Sequence, residues 1–153
     1  MTALAQKHPG AQLVVTGHSM GAALAQFCAL DAKAKLGIDV VRSFTFGSPR
    51  VGNKEFGVFF QSQVNASWRF THEKDVVPSL PPTLFGYHHA AREVWTLDVQ
   101  TWHGQPTLDV RVCDTSGEDP ACHNSACLLG LCTSVMDHLL YLQFHMYRRE
   151  SEC

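Results

Sequence analysis

The sequence predicts an α/β fold, a mostly parallel sheet with flanking helices. Three observations predict it. The first half alternates short β-branched runs with Ala- and Leu-rich stretches, in the order β-α-β-α-β. A Gly-x-Ser-x-Gly turn stands at the first strand-to-helix junction, at Gly17, Ser19 and Gly21. The composition is that of a packed chain, with 153 residues, 45% hydrophobic and 17% charged. That is the length of one domain on the usual prior of roughly 100–200 residues.

The elements follow in order. Thr2 to His8 reads as the last turns of a helix, stopped by Pro9 and Gly10. Gln12 to Thr16 is short and β-branched and reads as a buried strand. Ala22 to about Leu36 is a helix ended near Gly37. Val40 to Phe46 is a second strand, followed by a turn-rich loop from Gly47 to Gly52. Asn53 is a good N-cap for a helix reaching about Gln63. Ser67 to Thr71, Glu93 to Leu97 and Leu108 to Cys113 are three further strands. A long loop from His72 to Arg92 holds Pro78, Pro81 and Pro82 with His72, His88 and His89. Loops at strand ends often carry function, because a rigid sheet positions them. Asp114 to Cys132 is a second loop. Thr133 to Arg149 is expected to form the final helix, with Val135, Leu139, Leu142 and Met146 on one face.

Charge and hydropathy exclude several classes. Lys plus Arg is 12 against Asp plus Glu at 14, so no basic field invites nucleic acid. No run approaches the ~18 apolar residues of a membrane helix. The first residues lack the charged start and long apolar run of a signal peptide.

The Gly17-x-Ser19-x-Gly21 pattern is a nucleophile elbow, a strained turn that lifts a serine oxygen clear of the backbone. Both glycines are expected where neighbouring elements approach too closely for a Cβ. The following helix directs its N-terminal N–H groups at the site, which favours a developing oxyanion. Met20, the residue after the nucleophile, is the candidate oxyanion donor through its N–H. By composition alone roughly one chain in 20 of this length would carry the pattern. Its place between a β-branched run and an Ala-rich helix is what makes it specific.

A serine nucleophile needs a base, and the base needs an orienting carboxylate. The order expected on such a fold is Ser, then Asp or Glu, then His. Asp75 follows the third strand, where a carboxylate projects from the sheet edge, and Glu73 is a rival two residues away. A solvated turn aspartate is the bland reading of Asp75. His138 lies near the start of the expected last helix, whose N-terminus would help keep it neutral and basic. Of the nine histidines, His88, His89 and His103 fit less well, and His18 is read as packing beside the nucleophile. Val76, Val77, Leu80, Leu84 and Phe85 are equally readable as an acyl pocket or as packing under the loop.

His88, His89, His103, Cys122, His123 and Cys127 match no zinc spacing, so no metal site is assigned. Of six cysteines, Cys28 is read as a buried free thiol. Cys113, Cys122, Cys127, Cys132 and Cys153 cluster in the last third, which points to disulfides and an oxidising compartment. Cys122 with Cys127 or Cys132 are local pairs to consider, with the connectivity open. Asn65-Ala66-Ser67 is a glycosylation sequon.

Four blocks resemble the class 3 lipases, the fungal lipase-like branch of the α/β-hydrolases. They are Val14 to Ala25 around the elbow, Phe44 to Asn53, Asp75-Val76-Val77-Pro78-x-Leu80-Pro81-Pro82, and Asp137-His138-Leu139-x-Tyr141. The resemblance implies Ser19 as nucleophile, Asp75 as orienting acid and His138 as general base. It implies hydrolysis of lipid carboxylic esters through an acyl-enzyme, without a cofactor; the clustered cysteines and the sequon, for their part, point to a secreted or lumenal protein. The expected partner is a lipid or other ester substrate at a lipid–water interface. In the resembled family further strands, a second oxyanion donor and a lid precede the elbow. Residues 1–153 are therefore expected to be the C-terminal half of such a domain, a partial α/β-hydrolase fold with N-terminal strands missing. The alternative function is that of a non-catalytic binding or interaction module.

Overall fold

A computed structural model describes residues 2–64, 66–100, 106–127 and 132–146. Five strands form one sheet in the order β1 (Leu13–His18), β2 (Val40–Phe46), β3 (Ser67–His72), β4 (Glu93–Gln100), β5 (Pro106–Val112). The first three pairings are parallel and β4 pairs antiparallel with β5. Spatial order thus equals chain order. Helix α1 (Thr2–Lys7) precedes β1, α2 (Met20–Leu36) crosses from β1 to β2, and α3 (Lys54–Gln63) crosses from β2 to β3. The mostly parallel α/β expectation holds.

The local chemistry explains the boundaries. Gly37 ends α2 in the left-handed region (φ 64°), and its N–H returns to the carbonyls of Ala32 and Lys33. The Asn53 side chain accepts from the Phe56 N–H at 2.9 Å and caps α3. Between sheet and helices lies an apolar core of Val15, Ala25, Ala29, Ala32, Val40, Phe60, Val64 and Ala90. The run of alanines on α2 lets that helix lie close to the strands. Cys28 packs against this core but is only partly buried.

The loop after β5 is held on the sheet by two ion pairs. Arg69 on β3 meets Glu93 on β4 at 3.0 Å and also donates to the Gly117 carbonyl. Arg50 grips both carboxylate oxygens of Glu118, at 2.7 and 2.8 Å, and donates to the carbonyls of Ser79 and Pro81. Such a bidentate fork fixes direction as well as distance. It ties the proline-rich loop after β3 to the loop after β5.

The last segment departs from expectation. In place of a helix from Thr133, a single turn, α4 (Val135–His138), leads into a hairpin of β6 (Leu140–Tyr141) and β7 (Phe144–His145). Leu142 and Gln143 reverse the chain with φ of 51° and 67°. Two successive positive φ values form the turn type that matches hairpin twist. Residues 147–149 of the expected helix lie outside the described residues, as do Asn65 of the sequon, His103 and Cys153. The cysteine pairing also differs from the local pairs considered. Cys113 bonds Cys122, and Cys127 bonds Cys132. Cys113 extends β5 and packs with Cys122 against Trp95, so the first bridge forms inside that cluster.

Candidate active site

The carboxyl ends of β1, β2 and β3 share one edge of the parallel sheet, and ligands on such sheets bind at that edge. Each strand delivers one part of the site there. After β1 the chain turns at Ser19 with φ 57° and ψ −128°, and α2 begins at Met20. A non-glycine residue in this region is strained and is found where the surroundings hold it. The hold is visible: the Ser19 N–H donates to the Phe46 carbonyl at 2.9 Å, and the Ser19 carbonyl accepts from Ala22 at 3.0 Å.

The two elbow glycines have different reasons. A Cβ on Gly17 would lie 2.2 Å from the Gly21 carbonyl oxygen, so the turn closes only with glycine. A Cβ on Gly21 would meet nothing within 4 Å among the described residues. The expectation of close approach on both sides is corrected at Gly21.

After β2, Gly47 leaves the strand with φ 55°, and a Cβ there would lie 2.9 Å from both the Asp75 carboxylate and the His138 ring. This glycine makes room for the pair. Sequence reading placed Gly47 only in a turn-rich loop. The residues it clears space for lie 28 and 91 positions away, and no local signal carries that.

After β3, Asp75 is fully buried. Its Oδ1 accepts from the Val77 N–H at 2.8 Å, and its Oδ2 accepts from Tyr141 Oη at 2.5 Å. Oδ2 also meets His138 Nδ1 at 2.9 Å, and His138 Nε2 lies 2.8 Å from Ser19 Oγ. With a carboxylate at Nδ1, the consistent assignment has Nδ1–H donating to Asp75 and Nε2 accepting from the serine hydroxyl. The structure therefore brings Ser19, His138 and Asp75 into one unbroken line. Glu73 points elsewhere, accepting from the Asp98 N–H at 2.8 Å.

His138 is the last residue of α4, not an early residue of a long helix. The anticipated help from a helix N-terminus is absent, since one turn has little dipole and His138 ends it. Position comes from contacts instead. Ser134 caps α4 by accepting from the Asp137 N–H at 3.1 Å, and Asp137 Oδ2 accepts from the Lys74 N–H at 3.0 Å. His18 Nε2 lies 2.8 Å from the His138 carbonyl, with the two rings 4.5 Å apart. His72 Nδ1 lies 3.1 Å from the carbonyl of Asp137. Those carbonyls end a one-turn helix and have no intrahelical partner. Imidazole N–H groups satisfy them.

Burial lowers the pKa of His18, outweighing the hydrogen bond to the His138 carbonyl, which raises it. Neutral His18 then donates from Nε2. Burial first, then the Asp75 charge, push the Tyr141 phenol well above its ordinary value, so it stays a donor to Asp75. His89 is buried against Arg69 and Arg50 and is held neutral, with Nε2 donating to the Pro78 carbonyl at 2.8 Å.

Met20 opens α2, so its N–H is among those that helix geometry leaves free. It follows Ser19 directly in the chain. Leu84 and Phe85 are 88% and 71% exposed, while Val76 and Val77 are partly buried. Among the described residues two groups of potential metal ligands exist, His123 with Cys127 and Cys132, and Asp119 with Cys113 and Cys122. In each the two sulfurs are bonded to one another, so neither offers a thiolate pair.

Known proteins share this sequence and fold. The family model for "Lipase (class 3)" matches residues 1–85. The lipase of Rhizopus niveus is 33% identical over 141 residues, covering 90% of this chain and 33% of that protein. A secreted mono- and diacylglycerol lipase of Fusarium solani is 36% identical, over 89% of this chain and 39% of its own length. This chain thus spans about a third of the length of such curated relatives. Among solved structures, the Rhizopus microsporus var. chinensis lipase superposes with a TM-score of 0.79 at 31% identity, over 94% of this chain and 48% of that one. A triacylglycerol lipase described as having a serine protease triad as its catalytic centre superposes with a TM-score of 0.78 at 36% identity, over 94% and 52%. The elbow, the strand order and these likenesses converge, and the chain belongs to the class 3 lipase family.

Proposed function

We propose that this protein hydrolyses carboxylic esters of lipids through an acyl-enzyme. The observation that carries the reading is the line Ser19 Oγ–His138 Nε2, His138 Nδ1–Asp75 Oδ2, at 2.8 and 2.9 Å. In the proposed reaction His138 takes the Ser19 proton as Oγ attacks the ester carbonyl. Asp75 holds the imidazole orientation and stabilises its charged form. The Met20 N–H faces the developing oxyanion, a contribution of about 2.7–4 kcal/mol per donor in a comparable serine enzyme. His138 then protonates the leaving alcohol. Water, deprotonated by the same imidazole, releases the acid. Protein groups and water supply every step.

A lipid substrate suits the surroundings. Met20, Val135 and Met136 neighbour Ser19 and His138 along the chain, and all three are mostly exposed. Apolar side chains beside the nucleophile and base would face an acyl chain or a lipid–water surface. The curated relatives named as lipases and as mono- and diacylglycerol lipases support this substrate class. Two disulfides, together with a relative described as secreted, support secretion to an oxidising compartment.

A fluorophosphonate probe tests the reading. Labelling should map to Ser19, and Ser19→Ala should abolish both labelling and ester cleavage. Ester hydrolysis surviving in that variant would overturn the assignment.

A further inference from the structure

The acid and base segments are joined by more than the hydrogen bonds of the triad. Asp75 and Ser134 form a short parallel bridge, with the Val76 N–H donating to the Ser134 carbonyl and the Ser134 N–H to the Lys74 carbonyl, both at 3.1 Å. Ser134 caps the turn that ends in His138. Two residues before Ser134 stands Cys132, whose N–H donates to Ser79 Oγ at 3.3 Å. On the other side, His123 opens a short 3-10 helix (His123–Ala126) that ends at Cys127. His123 is buried, and its Nε2 lies 2.9 Å from the Asp75 backbone carbonyl and 3.5 Å from Cys132 Sγ. Burial keeps this imidazole neutral, so one Nε2–H serves the Asp75 carbonyl. The Cys127–Cys132 bond therefore closes a ring of supports. One end leads through His123 to the backbone of the acid, the other through Ser134 to the base.

We propose that the Cys127–Cys132 disulfide, with His123 as a positioning residue, holds Asp75 and His138 in register, and that its reduction by a dithiol slows the chemistry at Ser19. This rests on the function proposed above. In the step itself the dithiol supplies two electrons and two protons. The Sγ–Sγ bond breaks, two thiols form, and the reductant closes to its own disulfide. Access sets the order of attack. Cys127 is partly exposed, whereas Cys113 and Cys122 are buried against Trp95, so the 127–132 bridge opens first. Opening it leaves the fold's core and the first bridge in place but frees the segment that carries His138.

The test uses the whole chain in its oxidised form, after titration with dithiothreitol, and as the Cys127→Ser/Cys132→Ser double variant. Two readouts are taken. The first is the His138 Nδ1 proton shared with Asp75, observed in 15N-histidine-labelled protein. The second is kcat and KM on a short-chain ester, with fluorophosphonate labelling of Ser19. The expected result is a sharp imidazole proton in the oxidised chain that broadens or vanishes on reduction, with kcat down about tenfold, KM unchanged, and both restored by reoxidation. An unchanged imidazole proton overturns the proposal. So does peptide mapping in which the 113–122 bridge opens first. Should the double variant not fold, the dithiol titration of the native chain gives the same reading. If Ser19 is labelled in neither form, the ester-hydrolase reading fails, and the imidazole proton alone decides the role of the disulfide.

Discussion

At Asp75 four polar atoms converge on one buried carboxyl residue. Val77, Tyr141 and His138 take its two carboxylate oxygens, and His123 takes its backbone carbonyl. A buried charge is tolerated only when its lone pairs are occupied. Tyr141 therefore does double service, filling the core beside Phe46 and His72 and donating to the acid. Tyr141→Phe keeps the ring and removes the donor. The loss of one hydrogen bond to a charged group costs about 1.5–3 kcal/mol. We expect a cooperative fold with a lower melting temperature, and a kcat reduced about tenfold. A melting curve and ester kinetics on the same preparation check both. His18 and His72 act at the same scale, and each spends an N–H on a carbonyl at the end of α4.

Elements differ in how far their own residues decide them. Helix α3 is written locally, from the Asn53 cap to Gln63. The elbow is local as well, and its two glycines separate cleanly by experiment. Gly17→Ala places a methyl 2.2 Å from a backbone carbonyl that no rotamer can move. Overpacking of this kind costs about 1–3 kcal/mol or more, so this variant should melt well below the parent. Gly21→Ala meets nothing within 4 Å and lies inside α2. It should match the parent or gain up to about 1 kcal/mol from helix propensity. Thermal melts of the two variants side by side give the answer. The final segment shows the opposite case. Its apolar spacing suits a helix, yet Tyr141 is drawn into the core against Asp75, and the chain reverses at Leu142 and Gln143. Periodicity counts apolar positions. It does not register that Tyr141, which is not among them, has a partner 66 residues away.

Across the whole molecule, several buried ionisable groups share one pH dependence. His89, His123 and His18 have lowered pKa values in the fold, chiefly through burial. Below the ordinary histidine value of 6.5 the unfolded chain takes up protons that the folded chain refuses, so stability falls as pH falls. Glu118 adds a second step. Burial opposes its charge, but the Arg50 fork and the Asn124 hydrogen bond outweigh burial and hold its carboxyl well below the ordinary 4.5. Its contribution is whole above that value and is lost as pH drops beneath it. The urea midpoint, followed from about pH 8 to pH 4, should be flat at first. It should decline below about 6.5 and steepen below about 4.5, the ordinary values of the two groups. Glu118→Gln should remove most of the steeper limb. A midpoint independent of pH over that range would contradict the burial of these charges.

What the residues decide alone is what depends on near neighbours. The strand–turn–helix order, the caps at Asn53 and Gly37, and the strained turn at Ser19 all arise from contacts within a few positions, so β1 to β4 and α2 to α3 were legible in advance. That Ser19 and Asp75 lie just past β1 and β3 was legible too, because parallel strands must bring their carboxyl ends to one edge. What only the tertiary structure decided is which groups meet there. The clearance at Gly47, the donation by Tyr141, the hold of His18 and His123, and the pairing of Cys113 with Cys122 and Cys127 with Cys132 join segments far apart in the chain or choose among close alternatives. Such choices are made by burial, where each polar atom must find a partner, and burial exists only once the sheet has assembled.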